Sequence, residues 1–214
     1  VTFVPPAPVD TLAARLVAAI TKDTAAVLAS TVLFETATVV PDLDAVVTAA
    51  HAHGALALLD AYHAFNIVPF RIGDFGPAPV FVVAGGYKYA ELGEGVCFMR
   101  LPRAAASLRP AYTGWFADFS ALERPRGHER VAYADGGARF AGATFDPASL
   151  YRARAVLAHF DRFGLDVQAL REISIAQTSL LVELLERAGA EILSPRDPSQ
   201  RGGFVALRCA RAHE

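Results

Sequence analysis

The hydrophobic pattern changes period repeatedly along the first hundred residues. Apolar residues recur at helical spacing over residues 11–20 and 42–54, where Asp10 is a plausible N-cap and Gly54 a plausible C-terminal stop. Short, nearly continuous apolar runs occupy residues 24–34, 55–61, 79–86 and 93–101. Such runs are typical of strands covered on both faces, as in parallel sheets. The alternation predicts an α/β fold with a mainly parallel sheet.

The pattern becomes irregular over residues 112–147, which are rich in glycine and charge and show no clear period. Long irregular segments in compact proteins are usually functional or lie at an interface. Two amphipathic helices and two short strands are then predicted, over residues 148–160, 167–189, 190–195 and 202–209. We therefore expect a large domain over residues 1–146. A connecting helix and part of a smaller α+β C-terminal domain would follow over residues 147–214.

Composition narrows the class of protein. Hydrophobic residues make up 53% of the 214 residues and the net charge is −2, so a large core is expected and nucleic acid is not the expected partner. No apolar run is long enough for a membrane helix, and the N-terminus does not resemble a signal peptide. We expect a cytoplasmic protein in which Cys97 and Cys209 are buried thiols and not a disulfide.

Polar residues with chemical potential stand at the ends of two predicted strands. Asp60 ends one strand and His63 follows it, while Tyr87 and Lys88 follow the next strand, 28 positions after Asp60 (88 − 60). Ligands of parallel α/β sheets bind at the carboxyl ends of strands. Taken singly, Asp60 is also consistent with a turn or helix cap, His63 with a core histidine and Lys88 with a surface lysine. Together they are less easily explained by structure alone.

One cofactor, pyridoxal phosphate, requires this combination. A partly desolvated lysine forms a Schiff base with its aldehyde, and an aspartate keeps its pyridine nitrogen protonated. A histidine beside the ring can order that aspartate or contact the ring oxygen, and a tyrosine hydroxyl can bind the phosphate. Gly85 and Gly86 would let the backbone pass close to the cofactor.

The segments "LLDAYHAFN" and "GGYKYAELGEG" resemble the cofactor-binding core of fold-type I pyridoxal-phosphate enzymes. Within them the chain is similar to the class V aminotransferase superfamily, and to kynureninases in particular. "YTGWF" and "RFAGATFDPASLYRA" extend the resemblance, which covers roughly residues 25–160.

The resemblance implies a role for each residue. Lys88 would form the Schiff base, Asp60 would face the pyridine nitrogen, His63 would lie beside the ring, and Tyr87 would bind the phosphate. Trp115 and Thr144 match positions that reach the cofactor phosphate across a dimer interface, which implies a homodimer with shared active sites. Without the resemblance, Trp115 is equally consistent with a core or interface aromatic residue, and Thr144 with a turn hydroxyl.

The implied reaction is the hydrolysis of the Cβ–Cγ bond of kynurenine to alanine and anthranilate. Kynureninases usually have Gly-His after the Trp-Phe pair, whereas this chain has Ala117 and Asp118. An aminotransferase or a β-eliminating lyase on the same fold therefore remains an alternative, as does a non-catalytic relic of the fold.

Parts of the family pattern are unmatched. The chain lacks an initiator Met and the family's early phosphate-binding turn and ring-stacking aromatic residue, so we expect it to be part of a longer polypeptide. The arginine that grips the substrate carboxylate would lie near or beyond Glu214, with Arg208 as a possible substitute.

Two other kinds of site are disfavoured. His51 and His53 point to different faces of a helix, so no metal site is expected there. A cysteine persulfide mechanism needs a thiol in a mobile loop, whereas Cys97 lies in a strand-like run. Cys209 is nearer the end of its apolar run, so the argument against it is weaker.

Overall fold

The computed structural model describes residues 1–123 and 133–209. Its helices and strands follow one another in an order close to that predicted. They are α1 (Leu12–Ala19), β1 (Ala26–Ser30), α2 (Leu43–Ala52), β2 (Leu56–Asp60), β3 (Val80–Gly85), β4 (Cys97–Arg100), α3 (Ala148–Phe163), α4 (Val167–Arg187), β5 (Glu191–Ile192) and β6 (Leu207–Arg208). Short 3-10 helices lie at Val9–Thr11, Ile72–Phe75, Arg103–Ser107, Trp115–Ala121 and Gly136–Phe140.

The main sheet has the order β1-β2-β3-β4, with β1, β2 and β3 parallel and β4 antiparallel to β3. Ser30 pairs with Asp60, and Asp60 pairs with Val83. The last residue of β2 therefore lies beside β3 two positions before that strand ends. This register confirms the predicted α/β fold and places the ends of β2 and β3 at one edge of the sheet.

One face of this sheet packs against α1 and α2. Ala57 and Leu59 of β2 and Val80 and Val82 of β3 belong to the same buried apolar cluster as residues of both helices. Within α2, the side chains of Val46, Val47 and Ala50 have no solvent exposure. Burying an aliphatic side chain of this size contributes about 1.5–3 kcal/mol, so this layer holds the strand ends in place.

In the described part of the chain, the prediction that both faces of these strands are covered holds for β3, where Phe81 is 7% exposed, but is wrong for β1, β2 and β4. On the other face Leu28 is 68% exposed, Leu56 43% and Met99 40%. An apolar strand sequence shows that a face can be buried, but the covering element is set by tertiary structure. Cys97 and Cys209 are free thiols as expected, but both are exposed and not buried.

The predicted helix boundaries are partly correct. Thr11, and not Asp10, is the N-cap of α1, because Asp10 lies inside the preceding 3-10 turn. Gly54 has φ +74° just after the end of α2, as its predicted stop position requires.

Residues 1–100, together with the described residues from 148 onward, form one compact unit, and residues 101–147 form another. The first unit contains both the main sheet and the small antiparallel β5-β6 sheet. The domain boundary at residues 146–147 stays a prediction. Of the helices in the described part of the chain, none is long and apolar enough to cross a membrane.

Candidate active site

Asp60 is held by hydrogen bonds at both its backbone and its side chain. The backbone N–H and the hydroxyl of Thr31 donate to the Asp60 carbonyl oxygen at 2.9 and 3.0 Å. The backbone N–H of Tyr62 donates to Asp60 Oδ1 at 2.8 Å. The carboxylate at the end of β2 is therefore fixed in one orientation, while the residue stays partly exposed.

Lys88 lies in a closed loop that follows β3. We call residues 86–96 the lysine loop. The Gly86 N–H donates to the Val96 carbonyl at 2.6 Å, and the Leu92 N–H donates to the Gly86 carbonyl at 2.8 Å. A tighter turn inside the loop joins the Glu91 N–H to the Lys88 carbonyl at 3.1 Å. These bonds hold the backbone of Lys88 close to the end of the strand.

His63 lies within the electrostatic reach of both Asp60 and Lys88. Burial lowers the pKa of His63 below its ordinary value of 6.5, the positive charge of Lys88 lowers it further, and Asp60 opposes the shift. The structure thus brings the three predicted polar residues into one neighbourhood. The neutral form of the imidazole is favoured there.

Two phenyl rings flank that imidazole. The ring centroids of Phe34 and Phe204 lie 5.4 and 5.6 Å from that of His63. Phe204 comes from the segment between β5 and β6, so a residue distant in sequence completes the surroundings of His63. The apolar contact agrees with a histidine that is uncharged near neutral pH.

Tyr62 and Tyr87 pack together beside Gly85. Their ring centroids are 5.9 Å apart, and Lys88 Nζ lies 5.4 Å from the centroid of the Tyr87 ring. A Cβ atom at Gly85 would lie 2.4 Å from Tyr62 Cε1 and 2.7 Å from Tyr87 Cε1. The pKa of Tyr62 is raised to about 12, first by a hydrogen bond with Cys97 and to a smaller extent by burial. Tyr62 therefore remains protonated at any physiological pH.

Trp115 and Thr144 contact each other within the compact unit of residues 101–147. The indole Nε1 of Trp115 donates a hydrogen bond to Thr144 Oγ1 at 3.3 Å. Trp115 is 55% exposed, so the pair lies at the surface of this unit. The two residues are therefore neighbours, and their binding of a phosphate stays a prediction.

Sequence reasoning missed several residues of the site. Tyr62 stands inside the Asp60–His63 motif, so its position was a usable signal. Thr31, Phe34 and Phe204 come from other segments, and no spacing pattern connects them with His63 or Asp60. Arg208, considered as a carboxylate ligand, lies on β6 and forms an ion pair with Glu191 at 3.3 Å.

The donor set suits pyridoxal phosphate. A partly buried lysine, an oriented carboxylate and a histidine whose pKa is lowered lie at the strand ends, with the ring of Tyr87 beside the lysine amine. These residues have the chemistry to bind the aldehyde, the pyridine nitrogen, the ring face and the phosphate of the cofactor, and their individual roles stay predictions. No group of His, Cys, Asp or Glu side chains suited to a metal ion occurs in residues 1–123 and 133–209.

Comparison with curated proteins relates the chain to named enzymes. A kynureninase of Deinococcus radiodurans is 30% identical over 184 residues, which are 81% of this chain and 42% of that protein. A kynureninase of Myxococcus xanthus is 32% identical over 175 residues, or 78% of this chain and 39% of that protein. The chain spans less than half the length of these relatives.

Solved structures share the fold at low sequence identity. A cysteine desulfurase from Thermococcus onnurineus has a TM-score of 0.73 and 13% identity, covering 95% of this chain and 48% of that one. A serine palmitoyltransferase from S. paucimobilis with bound PLP-myriocin has a TM-score of 0.57 and 17% identity, covering 96% and 46%. The chain thus has the fold of fold-type I pyridoxal-phosphate enzymes. The family model described as "Aminotransferase class-V" matches residues 1–214, so the chain belongs to the class V aminotransferase family, whose cofactor is pyridoxal phosphate.

Proposed function

We propose that the protein is a kynureninase-like enzyme that hydrolyses the Cβ–Cγ bond of kynurenine, or of a ring-substituted kynurenine, to alanine and an anthranilate. The observation that carries the proposal is the convergence of Asp60, His63 and Lys88 at the ends of β2 and β3. The named relatives are kynureninases, which favours this reaction over others in the family.

Lys88 has two tasks in this proposal. Its amine would hold the cofactor aldehyde, and in its free form it would take the proton from the substrate α-carbon. When bound, pyridoxal phosphate supplies an electron-withdrawing ring that accepts the electron pair left at that carbon. Closure of the lysine loop by the bonds at Gly86 and Leu92 keeps the amine near this position.

Asp60 and His63 set the electrostatics around the cofactor ring. The carboxylate of Asp60, which accepts a hydrogen bond from the Tyr62 N–H, would face the pyridine nitrogen of the cofactor and keep it protonated. The lowered pKa of His63 favours its neutral form, which would add no second positive charge near the cofactor ring. In the hydrolysis, the oxygen of a water molecule would add to the γ-carbonyl carbon of the substrate and the Cβ–Cγ bond would break. The water oxygen would leave in the carboxylate of the anthranilate, and Cβ would take up a proton to give alanine.

The phosphate would be held by residues of two subunits. Tyr87 offers its hydroxyl from the same chain as Lys88, and Trp115 with Thr144 would reach the phosphate from the partner subunit. The hydrogen bond between Trp115 and Thr144 supports this proposal, because it orients the threonine side chain with an exposed indole. The active protein is accordingly proposed to be a homodimer.

The departure at Ala117 and Asp118 favours one alternative. Ala117 is buried, and Asp118 has a non-helical backbone within the 3-10 helix, so neither supplies the imidazole that kynureninases usually have after Trp-Phe. If that imidazole is essential for kynurenine, the same site would serve as an aminotransferase or a β-eliminating lyase.

The test uses the full-length protein loaded with pyridoxal phosphate. We expect a visible absorbance band that is lost in Lys88→Ala, and release of fluorescent anthranilate from kynurenine or 3-hydroxykynurenine. The variant Lys22→Ala, at an exposed lysine between α1 and β1, is the matched control. Absence of the band contradicts the proposal as a whole. If the protein instead converts an amino donor and a keto acid and releases no anthranilate, the proposed reaction becomes transamination and not hydrolysis.

A further inference from the structure

We propose that Arg152, on helix α3, is a positioning residue that holds the lysine loop and thereby determines where the amine of Lys88 stands. The proposal rests on the function proposed above, in which Lys88 carries the cofactor. Arg152 follows Lys88 by 64 positions (152 − 88), and it acts through backbone atoms of the loop.

Three donors on the first turns of α3 bind two carbonyl groups of the loop. Arg152 Nε donates to the Leu92 carbonyl at 3.0 Å, and Arg152 Nη2 donates to the Glu94 carbonyl at 2.8 Å. Ser149 Oγ donates to the same Glu94 carbonyl at 2.9 Å. The planar guanidinium can reach both carbonyls at once, which the single ammonium group of a lysine would not reproduce.

Two glycines let the loop approach α3 this closely. A Cβ atom at Gly93 would lie 2.2 Å from Arg152 Cζ, and one at Gly95 would lie 2.9 Å from Ser149 Oγ. Both glycines also have positive φ, +80° and +84°, where other residues are strained. The "GEG" sequence of the loop is therefore fitted to α3 in shape as well as in hydrogen bonding.

Apolar side chains also join the lysine loop to helix α3. Ala153 of α3 is buried in one cluster with Ala90, Leu92 and Val96 of the lysine loop, and Val156 packs against it. Arg152 thus binds the loop backbone at the edge of a small apolar interface. Helix α3 and the lysine loop are thus joined both by hydrogen bonds and by apolar packing, and both depend on the loop lying close to the helix.

Leu92 connects Arg152 with Lys88. The Leu92 carbonyl accepts from Arg152, while the Leu92 N–H donates to the Gly86 carbonyl and closes the segment that contains Lys88. A loosened Leu92 would release that closure and let the lysine side chain sample more positions. Since a preordered site loses less conformational entropy on binding, the cofactor would bind less tightly.

The experiment compares Arg152→Ala and Arg152→Lys with Arg154→Ala in the full-length protein. Arg154 is exposed on the same helix, so it controls for loss of a guanidinium. Pyridoxal-phosphate affinity is measured from the visible band, together with the pH at which that band changes. Hydrogen exchange of peptides covering residues 86–96 is measured in protein freed of cofactor.

We expect Arg152→Ala to weaken cofactor binding roughly tenfold, the order of the net contribution of one hydrogen bond. It should also shift the pH at which the band changes and speed exchange in residues 86–96. Arg152→Lys should fall between Arg152→Ala and wild type, and Arg154→Ala should match wild type. Solvent competes for the exposed guanidinium of Arg152, which keeps the expected effect moderate.

Affinity within twofold of wild type and unchanged exchange in a folded Arg152→Ala protein would overturn the proposal. If that variant does not fold, Arg152→Lys decides by the same measurements. If wild-type protein forms no visible band, the proposed function fails. The exchange data still decide separately whether Arg152 holds the loop.

Discussion

The ring of Tyr62 lies directly over Gly85, so close that a Cβ atom at residue 85 would stand 2.4 Å from Tyr62 Cε1. This contact joins the segment after β2, which carries Asp60, to the end of β3, which leads to Lys88. The two strand ends are thus packed against each other as well as paired through the sheet. Any side chain at residue 85 must displace the tyrosine.

We expect Gly85→Ala to destabilise the protein by about 1–3 kcal/mol, the usual cost of overpacking a filled site. It should also weaken pyridoxal-phosphate binding, because Tyr87 contacts the same position. Urea unfolding and cofactor titration measure the two effects. Gly73→Ala is the matched control, since a Cβ atom there meets nothing within 4 Å. Equal stability of the two variants would show that the contact with Tyr62 is unimportant.

Asp60→Asn separates charge from hydrogen bonding. The asparagine oxygen can still accept the Tyr62 N–H that now bonds Asp60 Oδ1, so the fold should persist. The negative charge opposite the pyridine nitrogen is lost, and we expect turnover to fall roughly 10²- to 10³-fold, the scale for one electrostatic partner. Steady-state assays with circular dichroism check both parts. Near wild-type turnover would exclude Asp60 from the proposed role.

His63 should make the stability of the protein depend on pH. In the folded state, burial and to a smaller extent the positive charge of Lys88 lower the pKa of His63 below 6.5. The unfolded state therefore binds the proton more readily. The contribution to stability is therefore present above about pH 6.5 and is lost as the pH falls below that value. His63→Phe, which preserves contact with Phe34 and Phe204, should lose less stability between about pH 6.5 and 5 than wild type.

Thermal melts at several pH values measure this difference. His51→Gln, at an exposed histidine on α2, controls for the removal of an imidazole elsewhere. Parallel pH profiles for wild type and His63→Phe would contradict the assignment.

Shared active sites predict complementation between inactive variants. A dimer of one Lys88→Ala subunit and one Trp115→Ala/Thr144→Ala subunit contains one site with every residue intact. Refolding an equal mixture should restore about one quarter of wild-type activity, because half the dimers are mixed and each has one good site. A mixture of Lys88→Ala with Asp60→Asn should recover nothing beyond the Asp60→Asn background, since no site is intact. Absence of recovery in the first mixture would contradict the shared-site dimer.

Arg201 should be important for stability and not for chemistry. Its side chain is 1% exposed, and it donates to Thr178 Oγ1 at 3.2 Å, Ser179 Oγ at 2.8 Å and the Pro195 carbonyl at 2.8 Å. Arg201→Lys cannot make all these bonds, so we expect a loss of about 2–4 kcal/mol in the free energy of unfolding. Arg208→Lys, on an exposed ion pair, should cost less than about 1 kcal/mol.

The alternation of apolar runs was sufficient to predict an α/β fold with a mainly parallel sheet, which the structure confirms. The short apolar runs also predicted β2 and β3, and the register that pairs Asp60 with Val83 brings Asp60 beside the strand that leads to Lys88. The assignment of Asp60, His63 and Lys88 as a cofactor site stays a prediction. The assignment to a pyridoxal-phosphate family was confirmed by the family model. The individual roles of Tyr87, Trp115 and Thr144 toward the cofactor stay predictions.

The sequence by itself determined which backbone segments become strands and which reactive side chains follow them, because hydrophobic period and neighbouring turn residues act over a few positions. Tertiary structure alone decided that one sheet face is covered, that Phe204 reaches His63 and that Arg152 binds the lysine loop. Those contacts join residues far apart along the chain, and packing selects them only once the chain is folded. The local sequence pattern thus identifies Lys88 as a candidate, whereas the placement of its side chain depends on contacts between distant parts of the chain.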